Sequence, residues 1–445
     1  MKKVTCLFLA LAMILGAIGC ATTPTETTTP LTETAGAADE ATDAATMAGT
    51  IPDDKKIVVS FASQWFSEEG RADFIYKAAE TFEKENPQYK FEGITISYGD
   101  FNDKMKVAFA SGETPTIVYC IGDWLESWYE QGWIAPMDDY VDINGRKDDF
   151  AVWSAQEAAQ RDGKNYGLNI ETCPYGGLIY NKAILEAEGI TEIPTTPEEF
   201  LALAKKLTHD DQYGFIAANS SDNLSHIMQE SLPWIMGFGG IIADKDGNFM
   251  VNSPEFVKGV EYYRELATTC APKSMVYNTQ RQLFFEGKAA MCADGGYFVT
   301  WAESTNPDLT GKLDVAYLPL PTKANNTDIV YVCLSSAATE EQKVGAGKFL
   351  EVLMRDEFQQ NWLSGCNYPV MMKSGITDEY RANNPWVGIY EDLAANGISG
   401  EVSGHETSSD EIRKIIAEYI VMAIEDPTSD VQQLMDECKQ KLEEI

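Results

Sequence analysis

The sequence predicts an α/β fold with more than one domain. Short apolar strands alternate with amphipathic helices along most of the chain, an order typical of parallel sheets with helices on both faces. The chain has 445 residues, which favours two or three domains over one. Apolar residues make up 44% of the composition, enough to build hydrophobic cores, so global disorder is disfavoured.

The first part of the body shows the alternation most clearly. Glycine and proline mark the helix ends, because Pro87 follows the first predicted helix, Gly112 the second and Gly132 the third. The predicted elements in chain order are strand 56–61, helix 69–86, strand 91–97, helix 103–111, strand 116–120 and helix 125–131.

The later part of the chain becomes mainly helical towards its end. Thr196 and Glu199 form a capping box with Pro197 at the first helical position, which predicts a helix from there to about residue 207. The other predicted strands are 178–180, 213–217, 288–293, 313–318 and 330–334. The other predicted helices are 254–268, 340–354, 357–363, 410–424 and 429–441.

Charge and composition exclude several classes of protein. The chain has 34 basic and 69 acidic residues, a net charge of −35, which argues against nucleic acid as a partner. Three histidines and nine cysteines without a Cys-x-x-Cys pair predict neither a metal centre nor a disulfide scaffold, and no cofactor is expected. The acidic segment 244–255 has calcium-loop spacing, but Gly247 stands at the wrong position, so we expect a polar turn.

The N-terminus has the pattern of an export signal. Lys2 and Lys3 precede an uncharged apolar stretch, residues 4–18, which is too short to span a bilayer comfortably. The segment ending in Gly19-Cys20 resembles a bacterial lipobox, which implies a signal peptide over 1–19 and lipidation of Cys20; the alternative is a plain secretory signal. Residues 20–54 are rich in Thr and Ala and are expected to form a disordered tether.

Several segments along the body resemble the family 1 extracellular solute-binding proteins of bacterial ABC importers, the group that contains the maltodextrin-binding proteins. Two departures are Thr116, where the family usually has Asp, and Pro197, where it often has Trp. The similar segments are ASGETPTIV at 110–118, EQGWIAPM at 130–137, GLIYNK at 177–182, PTTPEE at 194–199, FEGKAAM at 285–291, GGY at 295–297 and LPLP at 318–321.

This resemblance implies a type II periplasmic-binding-protein-like fold. Its two α/β lobes would each contain a mainly parallel sheet flanked by helices, with a ligand cleft between them. The expected lobes are 55–170 plus 318–366 and 171–317 plus 367–445, with crossings near Glu171 and Leu318. The resemblance also implies hinge closure on a carbohydrate ligand, delivery to the permease of an ABC importer, a monomeric state, and a place outside the cytoplasmic membrane.

Sugars present hydroxyl groups around their rims and C–H groups on their ring faces. Aromatic rings combined with carboxylates therefore make a suitable site, which in α/β folds lies beyond the carboxyl ends of strands. Trp65 and Asp123 each follow a predicted strand. The alternatives are a core tryptophan and a helix N-cap. Glu171 and Tyr175 lie at the first crossing, where an interlobe ion pair is the alternative for Glu171.

Four further candidates come from the second lobe. Asp294 and Tyr297 flank a Gly-Gly turn, and glycine permits close approach of a ligand. Trp234 lies in an apolar helical stretch, where core packing is the stronger reading. His405 lies in a Gly/Ser-rich loop that is expected to reach the cleft or to remain solvated.

The leading hypothesis is therefore a lipid-anchored carbohydrate receptor with no catalytic activity. The alternatives are a surface glycoside-degrading enzyme, a structural or adhesive lipoprotein, and a binding protein for another polyol or a glycerol phosphodiester. An anionic ligand would need Arg or Lys in the cleft, and none of the candidates is basic, so we expect a neutral sugar.

Overall fold

Two β-sheets organise the part of the chain that can be described. A computed structural model describes residues 52–68, 71–222, 224–366, 370–398 and 401–445. The expected signal peptide, Cys20 and the expected tether as far as residue 51 lie outside these residues. Among the described residues, no helix has both the length and the hydropathy that crossing a membrane requires.

The larger sheet contains the first three long strands of the chain. Its order is β13-β12-β3-β1-β2, and β4 and β7 also pair with β12. The strands β2 and β3 run parallel to β1, whereas β3, β4 and β7 run antiparallel to β12. The bounds are β1 Ile57–Ser63, β2 Tyr89–Thr95, β3 Ile117–Ile121, β4 Ile134–Ala135, β7 Leu168–Pro174, β12 Asn325–Ser335 and β13 Gly397–Ile398.

The smaller sheet lies in the middle of the sequence and has the order β11-β8-β10-β9. Its strand β8 runs antiparallel to β10 and β11, and β10 runs parallel to β9. A separate two-stranded hairpin joins β5 to β6. The bounds are β5 Gln160–Arg161, β6 Lys164–Asn165, β8 Gly177–Asn181, β9 Tyr213–Ile216, β10 Ala289–Asp294 and β11 Leu313–Tyr317.

Helices flank both sheets and dominate the C-terminal part. Helices α1, α11 and α12 pack together beside the larger sheet, and α7 packs against α8 and α15. The bounds are α1 Arg71–Glu85, α2 Phe101–Ser111, α3 Gly122–Glu130, α4 Trp153–Glu157, α5 Lys182–Ala187, α6 Pro197–Lys206, α7 Leu224–Gly237, α8 Pro254–Thr269, α9 Tyr277–Phe285, α10 Tyr297–Thr305, α11 Glu340–Leu353, α12 Asp356–Cys366, α13 Asp378–Asn383, α14 Val387–Ala395, α15 Ser409–Glu425 and α16 Val431–Leu442.

The chain passes between the two sheets beside the paired strands β7 and β12. It leaves the larger sheet after β7 and enters the smaller one at β8. It returns between β11 and β12, and β12 then pairs with β7 along six positions. Each sheet is thus the centre of one α/β lobe, and the two connections lie side by side, as a hinge requires.

The α/β fold predicted from the alternation of elements is confirmed, and the pairing adds a refinement. The sequence predicts mainly parallel sheets, but both sheets are mixed, because β12 and β8 each run antiparallel to their main neighbours. Two helix ends were predicted correctly from residues that act locally. Thr196 caps α6 by accepting a hydrogen bond from the Glu199 N–H, and Gly112 ends α2 at φ 74°.

Candidate ligand-binding site

A small cavity of about 60 Å³ lies between the two lobes. A buried water needs roughly 10–15 Å³ of such volume, so the cavity has room for a few waters. Its walls come from α2, α3 and β12 with the larger sheet, and from α7 and α15 opposite. The lining side chains include Tyr98, Asn102, Asp103, Asp123, Trp124, Leu224, Met228, Gln229, Asp328, Asp410, Arg413 and Lys414.

An ion pair crosses this cavity between Asp123 and Arg413. The guanidinium Nε of Arg413 on α15 lies 3.3 Å from Oδ2 of Asp123, in the first turn of α3. Both side chains are about nine-tenths buried. Burial raises the pKa of Asp123, and the charge of Arg413 opposes that rise. The sequence candidate Asp123 therefore lines the cavity, and its partner is a cation that the sequence did not single out.

Asp328 is the second carboxylate directed at the cavity. It lies on β12 and accepts a hydrogen bond of 3.0 Å from Nε2 of Gln229 on α7. Burial raises the pKa of Asp328 to about 6, although the charge of Arg413 and the hydroxyl of Tyr175 act in the opposite direction. The sequence candidate Tyr175 is itself buried and contributes to this site through Asp328.

Two aromatic rings supply an apolar wall. The rings of Tyr98 and Trp124 lie 6.4 Å apart at 34°, and Trp124 stacks on Phe101 behind it. Because the face of an aromatic ring packs well against C–H groups, this wall suits the ring face of a sugar. Carboxylates, an amide and a guanidinium on the facing walls suit its hydroxyl groups.

A buried network in the second lobe contains Asp294 and Tyr297. Arg281 donates a hydrogen bond of 2.7 Å to Oδ2 of Asp294 and one of 3.1 Å to the hydroxyl of Tyr297. Tyr277 donates a 2.6 Å hydrogen bond to Glu230, whose pKa is raised by burial and by the charge of Asp294. These side chains form a supporting layer beside the crossing strands and do not line the small cavity.

The Gly-Gly turn between Asp294 and Tyr297 has a structural reason in this fold. A side chain at Gly295 would collide with Sγ of Cys173, on strand β7. Glycine is therefore required by the close approach of the two lobes at the crossing. Close approach of a ligand to this turn stays a prediction.

Trp65 and Glu171 belong to a third cluster, held together by Arg71. The guanidinium group of Arg71 lies over the rings of Trp65 and Trp362, at 5.3 and 5.6 Å from their centres. Its terminal nitrogen lies 2.9 Å from Oε1 of Glu171. Burial raises the pKa of Glu171 to about 7 against the effect of Arg71. Glu171 therefore pairs with a residue of the same lobe, since α1 and β7 both belong to the lobe of the larger sheet, whereas the alternative was a pair between lobes. Trp65 is buried among aromatic rings.

The last two sequence candidates lie apart from the cavity. Trp234 is fully buried on α7 and packs against Phe200, Phe215 and Tyr262. His405 stacks on Phe249 with ring centres 4.4 Å apart, and its Nε2 lies 2.8 Å from the carbonyl oxygen of Gly247. Both positions favour structural roles in the second lobe.

A second contact between the lobes lies at the rim. Arg161, on the β5–β6 hairpin, forms an ion pair with Glu126 of α3 and another, of 3.4 Å, with Glu401. The loop that follows Glu401 is fixed to the second lobe through His405. Burial raises the pKa of Glu401 to about 7. These contacts join the lobes beside the small cavity, so a sugar ring can enter that cavity only when the lobes separate.

Sequence reasoning found one of the residues that line the cavity, Asp123. It missed Gln229, Asp328 and Arg413, which lie inside helices or a strand, and it missed Tyr98 although that residue directly follows the predicted strand 91–97. The pair Asp123-Trp124 was a usable signal because it directly follows β3. Among the described residues, no group of three or more His, Cys, Asp or Glu is placed to hold a metal ion.

Two lobes around a polar and aromatic cavity define a cleft-type binding protein. Residues 67–360 match the family described as bacterial extracellular solute-binding protein. The chain belongs to this family.

Relatives with assigned ligands are similar to parts of the chain. The maltotriose-binding protein of Pyrococcus abyssi is 27% identical over 227 residues, 50% of this chain and 45% of that protein, so the match spans less than half of that relative. The diacetylchitobiose-binding protein DasA of Streptomyces coelicolor is 26% identical over 68% of this chain and 71% of its own length.

The fold is shared with solved binding proteins. The maltose-bound MalE3 of T. maritima superposes with a TM-score of 0.77 at 18% identity, over 87% of this chain and 99% of that one. The maltotriose-binding protein of Thermus thermophilus superposes with a TM-score of 0.71 at 19% identity, over 87% and 99%. At such identities the likeness establishes the two-lobed fold.

Proposed function

We propose that this protein captures a carbohydrate between its lobes and delivers it to the permease of an ABC importer. The observation that supports this most directly is the interlobe cavity, where the rings of Tyr98 and Trp124 face the polar groups of Asp123, Gln229 and Asp328. The names of the relatives, which bind maltotriose and diacetylchitobiose, point to the same class of ligand.

The proposed mechanism is closure driven by ligand. Arg161 at the rim and Arg413 in the cavity join the lobes in the described form, in which this cavity is too small for a sugar ring. A sugar therefore enters an open form and replaces cavity water with its hydroxyl groups. Closure then signals occupancy only if the ligand stabilises the closed state more than the open one.

Of the sequence candidates, Asp123 is proposed to contact the ligand directly. Tyr175 is proposed to act by orienting Asp328, and Asp294 and Tyr297 by supporting the crossing strands. Glu171 and Trp65 remain candidates through their contacts with Arg71, while Trp234 and His405 are the weakest of the set because both pack within the second lobe.

A thermal-shift screen against mono- and oligosaccharides tests the proposal. A ligand at 100 times its dissociation constant adds about 2.7 kcal/mol to the free energy of unfolding, a readable shift. The matched control is Asp123→Asn, which should fold but lose the shift. The proposal fails if no sugar stabilises the wild type, or if Asp123→Asn responds as strongly.

Export, anchoring and partition into lobes complete the proposal. The signal peptide, residues 1–19, would be removed and Cys20 lipidated. Residues 20–54 would act as a spacer. The two lobes would then consist of residues 55–170 plus 318–366 and residues 171–317 plus 367–445. The protein would act as a monomer on the outer side of the cytoplasmic membrane. Metabolic labelling with a fatty-acid analogue tests this, since Cys20→Ala should lose the label and a labelled variant would contradict it.

No bond chemistry is proposed for this chain. Incubation of the pure protein with each sugar that binds, followed by chromatography of the products, distinguishes a receptor from a glycoside-degrading enzyme. The sugar should be recovered intact; turnover abolished by Asp123→Asn or Asp328→Asn would favour the enzyme.

A further inference from the structure

The charges that line the interlobe cavity do not balance. Four carboxylates and two cations face it, and they are Asp103, Asp123, Asp328, Asp410, Arg413 and Lys414. The whole chain carries a net charge of −35, so the rest of the protein does not neutralise the negative charge of the cavity. A cleft lined by one sign of charge attracts ligands of the opposite sign.

The two cations are already engaged by other acids. Lys414 forms an ion pair of 2.9 Å with Asp410 one helical turn away, at the exposed rim. Arg413 forms its ion pair with Asp123, and its NH1 donates a hydrogen bond of 3.4 Å to Oδ1 of Asn326. The single guanidinium group of Arg413 therefore lies near two carboxylates, those of Asp123 and Asp328.

Asp328 is the carboxylate left without a full counter-charge. Its hydrogen-bond partners are neutral, namely the amide of Gln229 and the hydroxyl of Tyr175. Burial outweighs the influence of Arg413 and raises the pKa of Asp328 to about 6. A carboxylate in this position gains most from a cationic donor, because a hydrogen bond between two charged groups is roughly twice as strong as one between neutral groups.

We infer that the carbohydrate captured here carries a protonated amine, and that Asp328 is the residue that recognises it. This rests on the proposed function, because it names the class of sugar that the same cavity takes. In the closed form the amine would lie against Asp328, while Asp123 and Arg413 would remain paired or would bind hydroxyl groups. The rings of Tyr98 and Trp124 serve any pyranose, so they add affinity without selecting the amine.

Calorimetric titration near pH 7 with sugars that differ only in the substituent at C2 of each ring tests the inference. The probes are chitobiose, N,N′-diacetylchitobiose and cellobiose, together with glucosamine, N-acetylglucosamine and glucose. Within each set the ring and linkage are constant, and only the amine, the acetamide or the hydroxyl changes. The expected result is that the amine binds at least about tenfold more tightly than its neutral analogues.

Asp328→Asn separates charge recognition from shape. The amide is isosteric and removes a buried charge, so the variant is expected to fold. It should lower the ratio of amine to neutral-sugar affinity by about tenfold. Asp211→Asn is the matched control, since it makes the same change at an exposed position outside this cavity and should keep the ratio.

The outcomes distinguish this inference from the proposed function. If neutral sugars bind as tightly as the amines, or if the preference persists in Asp328→Asn, the inference falls and the receptor function stands. If no sugar in these sets or in the wider screen binds, both fall. Should Asp328→Asn not fold, the ratio between amine and neutral analogues in the wild type still decides the question.

Discussion

Arg413 and Asp123 face each other across the interlobe cavity with 3.3 Å between Nε and Oδ2. Arg413 lies on α15, which packs on α7. Asp123 lies at the start of α3, the helix that comes after strand β3 of the larger sheet. Both are nearly buried, so their attraction is screened little by water. This pair joins the two lobes at the cavity, and in the proposed function it couples ligand contact to closure.

Replacing Arg413 with Met should open the cleft. Asp123 and Asp328 would then face each other without the guanidinium group, and loss of one partner of a buried pair costs roughly 3–5 kcal/mol. We expect a larger radius of gyration in small-angle scattering and a loss of sugar affinity of at least about tenfold. Lys414→Met is the control, because Lys414 is exposed and its ion pair contributes only about 0–1 kcal/mol. Equal scattering and affinity in Arg413→Met and wild type would contradict the role of this pair.

Stability should fall as the pH rises through the titration range of Glu171. Its folded-state pKa is raised from 4.5 to about 7, so the protonated form favours folding. The contribution is fully present below pH 4.5 and is lost as the pH rises through 7, a change of roughly 3 kcal/mol in the free energy of unfolding. Glu171→Gln stays neutral and should show a flatter profile in denaturant unfolding between those values. Glu68→Gln removes a more exposed charge that adds less than burial to the raised pKa of Glu171, so it should flatten the profile less than Glu171→Gln does.

Closure should depend on the protonation of Glu401. Its pKa in the closed form is raised to about 7 by burial and by Glu126, Asp123 and Glu406, while Arg161 opposes the rise. Closing therefore favours the protonated form, and this advantage is lost as the pH rises through 7. The affinity ratio of Glu401→Gln to wild type should be near one at pH 5 and should rise towards pH 8. A ratio that does not change with pH would argue against proton uptake at this contact, and Glu406→Gln serves as the comparison.

Trp234 should matter for stability and little for affinity. It is fully buried among Phe200, Phe215 and Tyr262, and its indole nitrogen makes no hydrogen bond. Truncation to Ala leaves a core cavity and should cost roughly 3–5 kcal/mol of unfolding free energy. Trp234→Phe should cost less and bind sugar as wild type does in calorimetry. Weakened binding with unchanged thermal stability would instead place Trp234 against the ligand.

The fold was largely predictable because its signals are local. The N-cap Thr196 and the left-handed Gly112 act within one helical turn, so these helix ends could be predicted from the sequence alone. Strand β12 was predicted only from residue 330, because residues 325–328 are polar. They extend the strand because Asn325 and Asn326 pair with β13, and Thr327 and Asp328 pair with β7. The side-chain amide of Asn325 also donates a hydrogen bond of 3.1 Å to the Leu393 carbonyl.

The site was less predictable because it is assembled from distant parts of the chain. Asp123 follows a strand, where a search for ligand residues begins. Asp328 and Arg413 lie inside a strand and a helix, and only the register of β12 and the packing of α15 bring them together. None of the residues singled out from the sequence is basic, whereas Arg413 and Lys414 line the cavity, each paired with an acid.

The crystal structure of the protein with the tightest-binding sugar from the screen tests the central claim most directly. The account predicts a sugar enclosed between the lobes, with hydroxyl or amine groups within hydrogen-bond distance of Asp123 and Asp328 and a ring face against Tyr98 or Trp124. A sugar bound on another surface, or lobes that remain apart around it, would contradict the account.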